Sequence, residues 1–139
     1  MSSPEAHHPS GNIVTHLEVY KRAISLFKMS RHLATYITDN KDINNMYQSG
    51  NTSDSYSLQL VMDSMSLAPD IAEASITYDS KLKRYRIRRM KKTLIRIYRY
   101  CDYLEKRYEH SRDYVALLRK EIAHYRKAHN TWENNLLKK

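Results

Sequence analysis

Ile87, Met90, Leu94, Ile97, Cys101, Leu104 and Tyr108 follow one another at spacings that alternate between three and four residues without a break. Only an α-helix places such positions on one side, and the register is that of a heptad seam. Val115, Leu118, Ile122, Tyr125, His129, Trp132 and Leu136 repeat it. Leu17, Tyr20, Ile24 and Phe27 carry a shorter version near the start. With only 2 Gly and 3 Pro in 139 residues, the chain lacks the turn formers that a many-stranded fold needs. The expectation is an all-α single domain, an antiparallel up-down-up-down four-helix bundle.

Residues 1–12 are polar and contain Pro4, Pro9 and Gly11, which reads as a flexible tail ahead of a bundle over residues 13–137. The first helix is expected from Asn12 to Ile37. The Asn-, Asp- and Ser-rich stretch 38–55 has no sustained period and reads as a long connection. A second helix, Ser55 to Ile76, is apolar around much of its circumference, as in a helix that neighbours largely cover, and Pro69 should bend it or free a carbonyl one turn upstream. The short turn 77–80 makes the second and third helices antiparallel neighbours. Ser111 is placed to cap the fourth.

Charge is distributed unevenly along this frame. The chain has 24 Lys and Arg against 15 Asp and Glu, for a net charge of +9. Residues 81–107 hold 12 of those cations with only Asp102 and Glu105, so this one segment supplies +10 and the remainder sums to −1. At about 100° per residue, Lys81, Arg84, Arg88, Lys92, Arg99 and Lys106 fall opposite the third seam. Lys91 and Arg96 flank them, and Tyr85 and Tyr103 are interleaved. Acids on neighbouring helices or subunits could neutralise this face. Alternatively it is a ridge for a polyanion, with cations on phosphates and tyrosine rings offering stacking surfaces. The regular packing seam on the other side of that helix lacks bulky insertion residues, which favours nucleic acid over a membrane surface.

Gln59 to Ser75, "QLVMDSMSLAPDIAEAS", resembles the signature of the small four-helix-bundle family encoded in intervening sequences of bacterial 23S ribosomal RNA genes. Gln59, Leu60, Ser66, Ile71, Ala72 and Glu73 match in register. Leu67-Ala68 stands in place of Ile-Pro, Pro69 lies one position late, Asp70 replaces Asn and Ala74 replaces Gly. The basic third helix and the aromatic-bearing end of the fourth, "HNTWENNLLKK", look more like the accessory variability determinant (Avd) branch of diversity-generating retroelements. That resemblance implies a homopentameric barrel that binds RNA or DNA and a reverse transcriptase and supports mutagenic copying of a template RNA. The alternatives are a bundle of the intervening-sequence type unconnected with reverse transcription, and a structural oligomer whose basic ridge meets an acidic protein.

Other constellations point away from catalysis. Glu73 has no second acid or nucleophile spaced to act with it and is expected to face a partner helix. Asp63 and Asp70 share a face but do not by themselves make a metal site. His7, His8, His16, His32, His110, His124 and His129 form no ligand pair of the HExxH kind, and no glycine-rich phosphate loop is present. The expectation is a non-enzymatic protein without cofactor or metal. Cys101 occupies a seam position as a buried thiol, and a single cysteine fits the reducing cytoplasm. No apolar run approaches membrane-spanning length. Tyr98 and Tyr100 are expected to pad helix contacts, and Trp132 to pack in the core or against another subunit.

Overall fold

The computed structural model describes residues 14–38, 48, 50, 52–107 and 112–138, and among these there is helix and turn but no strand. Four long helices follow in order: α1 (Glu18–Ile37), α2 (Thr52–Ile76), α3 (Ser80–Arg107) and α4 (Arg112–Leu137). α1 packs on α2 and α4, and α3 closes the ring by touching the same two helices. The core is the common interior of all four, from Leu26 and Leu33 through Leu60, Leu67 and Ile71 to Ile97, Leu104, Leu118, Ile122 and Tyr125.

Small buried side chains sit among the large ones on α1 and α2, and long polar ones bridge α3 and α4. α1 and α2 bury the small side chains of Ala23, Ser30, Ala34, Ser57, Ser64, Ala68 and Ala74. α3 and α4 make the sparsest of these four contacts. Long polar side chains span the gap between them: Lys91 Nζ lies 2.9 Å from Glu133 Oε2, Arg119 Nη2 lies 2.7 Å from Asp102 Oδ1, and Arg126 Nη1 donates to the Tyr98 hydroxyl at 3.2 Å. Tyr56 stacks on Tyr103 and meets Tyr100 edge-on, joining α2 to α3.

Several boundaries differ from the sequence expectation. α1 starts at Glu18 because Leu17 is extended (φ −66°, ψ 139°), separating the helix from a short helical turn at residues 14–16. α2 begins at Thr52, so the expected connection 38–55 is shortened at its far end; Gly50 precedes it at φ 69°, a left-handed conformation that only glycine adopts cheaply. Pro69 stands within α2, which continues to Ile76. Neighbours cover most of α2, but one stripe of it, with Met62, Met65 and Ile76, is exposed. In α3, Thr93 and Tyr100 are buried alongside the seam while Leu94 is only half-buried. Glu73 is exposed, with no side-chain partner on another helix among the described residues. The tail at 1–12, Tyr108, His110 and the proposed cap Ser111 lie outside the described residues, as does most of the 38–55 connection.

Candidate nucleic-acid interface

α3 begins where the Asp79 carboxylate accepts the backbone amides of Lys81 and Leu82, at 2.9 and 3.1 Å, satisfying two of the amides that a helix start leaves open. Twenty-eight residues then run without interruption. The buried side, Ile87, Met90, Thr93, Ile97, Tyr100, Cys101 and Leu104, fixes the rotation of the helix. It therefore also fixes which side is left to solvent.

Lys81, Arg84, Arg88, Lys92, Arg99 and Lys106 are all exposed, and none makes an ion pair among the described residues. At about 1.5 Å per residue they span roughly 37 Å of helix. Lys91 and Arg96 behave differently. Arg96 holds Asp63 of α2 through two hydrogen bonds, at 3.0 and 3.2 Å, and donates a third to Thr93. Those hydrogen bonds to the carboxylate push the Arg96 guanidinium pKa further up. Lys91 is paired with Glu133 of α4. Neighbouring helices thus supply acids, but only along the two edges of the charged face. Among the described residues the six cations between those edges keep their charge unpaired, and a row of like charges at three- and four-residue spacing is mildly destabilising on its own helix.

The interleaved tyrosines divide in the same way. Tyr103 is stacked on Tyr56 with ring centroids 4.0 Å apart, with Arg107 near its ring, so the protein itself covers it. Tyr85 is exposed, and the Arg89 guanidinium lies 5.8 Å from its ring centre. Tyr98 and Tyr100 pad helix contacts as expected: burial pushes the Tyr100 hydroxyl up to about 12, while Arg126 lies over the Tyr98 ring.

Two side chains on this face escaped the sequence reading. Ile95, 52% exposed, sits within the cationic row, four residues from Arg99 and three from Lys92. Tyr78, in the turn before α3, is 99% exposed. A wheel drawn on the seam locates Ile95, but Tyr78 lies outside any helix and carries no periodic signal.

The remaining candidates are structural. Asp63 is the partner of Arg96. Desolvation raises the Asp70 pKa, against the pull of Arg89 and Arg86. Cys101 is fully buried, and burial pushes its thiol up to about 12, which keeps it protonated and unreactive. Trp132 is buried on α4, donates from its indole N–H to Ser75 Oγ at 3.3 Å, and lines an open cavity of about 810 Å³ with Val14, Leu17, Val19, Ala128 and Leu136. Among the described residues, no group of His, Cys, Asp and Glu could hold a metal ion, and no helix is long and apolar enough to cross a membrane. Within the motif region, Leu60, Ile71 and Ala74 are buried, whereas Gln59 and Glu73 face solvent. Set beside protein-family models, curated proteins and solved structures, the chain matches none of them.

Proposed function

We propose that this chain is a non-enzymatic nucleic-acid-binding protein that holds the phosphate backbone of RNA or DNA along the outer face of α3. The observation that carries the reading is the row from Lys81 to Lys106, six exposed cations with no ion pair among the described residues, flanked by Lys91 and Arg96, which are paired. A solvated surface gains nothing from concentrating one sign of charge in this way, whereas a phosphate chain releases counterions on meeting it.

The finer architecture in this proposal is an antiparallel up-down-up-down bundle. It is supported by contacts that run in opposite order on successive helices: Tyr56 with Tyr103 and Asp63 with Arg96 between α2 and α3, Arg119 with Asp102 and Lys91 with Glu133 between α3 and α4. The role of accessory subunit to a retroelement reverse transcriptase, in a homopentamer, rests on the resemblance at Gln59–Ser75 and in the last helix. Several copies would multiply the ridge by symmetry and hold one RNA more firmly than a single copy.

The test is fluorescence anisotropy with a labelled RNA across a salt series. At about 0.7 per phosphate for a single strand, six contacts give a log–log slope near −4. Replacing Arg84, Arg88 and Lys92 together by Glu should weaken binding at least tenfold, a change of about 1.4 kcal/mol, and flatten the slope. Circular dichroism should confirm that the helices remain. Equal, salt-insensitive binding by both proteins would overturn the proposal.

The converse substitution releases a cation. Asp63→Asn frees Arg96, so it should steepen the salt slope by about one unit. Because Arg96 is about half exposed, stability should change by less than about 1 kcal/mol. A slope identical to that of the native protein would show that Arg96 does not reach the bound backbone.

A further inference from the structure

Ile76, Tyr78, Leu82 and Tyr85 crowd the place where α2 hands over to α3, and all four are exposed. The extreme case is Tyr78, whose ring meets almost nothing of the protein. Its backbone is nonetheless held on both sides. The Thr77 hydroxyl donates to the Glu73 carbonyl at 2.6 Å and the Thr77 amide to Ala74 at 3.3 Å, while Asp79 on the other side caps α3. A large aromatic ring on a turn whose backbone is already ordered, with both faces open, is a platform for a stacking partner.

Cations surround this platform. Lys81, Arg84 and Arg88 begin the unpaired row directly after the turn, and Tyr85 lies among them, about 7.5 Å along the α3 axis from Ser80 at 1.5 Å per residue. At the far end of the row, Tyr103 is already covered by Tyr56. Open aromatic surface beside open positive charge is therefore concentrated at the start of α3.

We propose that this turn is a base-stacking site, in which Tyr78 and Tyr85 receive unpaired bases of a single-stranded nucleic acid whose phosphates lie on Lys81, Arg84 and Arg88. The assignment rests on the reading of α3 as a phosphate-binding ridge and narrows it, because only unpaired bases offer their π-faces to a side chain. A perfect duplex can use the cations but not the rings. Anionic lipid is the competing occupant of an apolar, basic turn. It fits less well because the row runs away from the turn along the side of the bundle. A flat surface meeting Tyr78 end-on would leave Lys92, Arg99 and Lys106 without anions.

The experiment compares a labelled single-stranded RNA with the duplex of the same sequence, using the native protein, Tyr78→Ala, Tyr78→Phe and the triple Glu variant. Tyr78 makes no core contact, so its variants should fold as the native protein does. Native protein should bind the single strand more tightly than the duplex. Tyr78→Ala should weaken single-strand binding by about 5- to 150-fold with its salt slope unchanged, since stacking is not a counterion effect. Tyr78→Phe should keep most of the affinity, and duplex binding should be indifferent to both. If Tyr78→Ala binds the single strand as tightly as native protein while the triple variant loses it, the stacking site is overturned and the ridge stands. Absence of salt-dependent binding to either RNA overturns both. Vesicles of phosphatidylcholine and phosphatidylserine provide the lipid arm: Tyr78-dependent binding there, with RNA binding unaffected, assigns the turn to membrane and also overturns the proposal.

Discussion

Truncating Ile97 to Ala should lower the stability of the fold by about 2–5 kcal/mol, whereas the same truncation two residues earlier, Ile95→Ala, should change it by less than about 0.5 kcal/mol. Both are isoleucines on one helix, so helix propensity and side-chain volume cancel in the comparison. Ile97 is fully buried between the four helices, and its removal forfeits dispersion contacts and leaves a cavity that a ring of packed helices closes only in part. Ile95 is 52% exposed among cations, so its truncation removes little from the interior. For a chain of this size the Ile97 variant should melt roughly 10 °C lower. Urea unfolding followed by circular dichroism measures both. An equally large loss at Ile95 would mean that another surface covers it in solution, and the ridge would then be an interface between proteins rather than an open face.

The seams of α3 and α4 were legible in the sequence because apolar periodicity fixes the rotation of a helix without reference to its neighbours: Ile87, Met90, Ile97, Cys101 and Leu104 are all buried where the pattern puts them. The cationic side followed by geometry, as the opposite half of the same wheel. Partner identity did not follow. Nothing local to α3 says that Asp63 and Glu133 reach Arg96 and Lys91, since those contacts join residues 33 and 42 positions apart. Nor could periodicity see Thr93 and Tyr100, which are buried because α2 lies on that flank, with Tyr56 against Tyr100. The start of α1 was misplaced because Leu17 fits the apolar period of the helix while its own backbone is extended. Within α2 the apolar Met62 and Met65 were counted as core, whereas the packing of α1 and α3 decides which stripe of the helix remains outside. Tyr78 was missed because the signal that singles it out is exposure, a property of the assembled turn rather than of the residue.

The second large effect concerns the polar chain inside α4. Tyr125 is fully buried, and its hydroxyl lies 2.9 Å from His129 Nδ1; His129 Nε2 lies 3.2 Å from Glu133, which also holds Lys91 of α3. The arrangement is satisfied when neutral His129 accepts from Tyr125 and donates to Glu133. Burial raises the Tyr125 pKa, which keeps its hydroxyl a donor. His129→Ala should therefore cost about 2–4 kcal/mol, combining a small cavity with a buried hydroxyl left without its acceptor. Burial also lowers the His129 pKa below its ordinary value of 6.5; Glu133 pulls it back up and Lys91 reinforces the lowering. Because the folded-state pKa is the depressed one, the unfolded chain takes up the proton first as pH falls. The contribution of neutral His129 is complete above pH 6.5 and is lost below it, at up to about 1.4 kcal/mol per pH unit, until the folded state is protonated too. His129→Gln retains a donor and an acceptor without titrating, so its stability should stay level between about pH 6.5 and 5, above the range where most carboxylates take up protons. The half-buried Asp70, whose pKa is raised, acts in the opposite sense: its folded form takes up a proton first, which offsets part of the loss as carboxylates begin to titrate. Denaturant unfolding at several pH values separates the two variants from the native protein. A native slope that survives in His129→Gln would place the proton uptake on another group. A slope that disappears would show that a buried histidine, rather than the charged surface of α3, sets the acid stability of the fold.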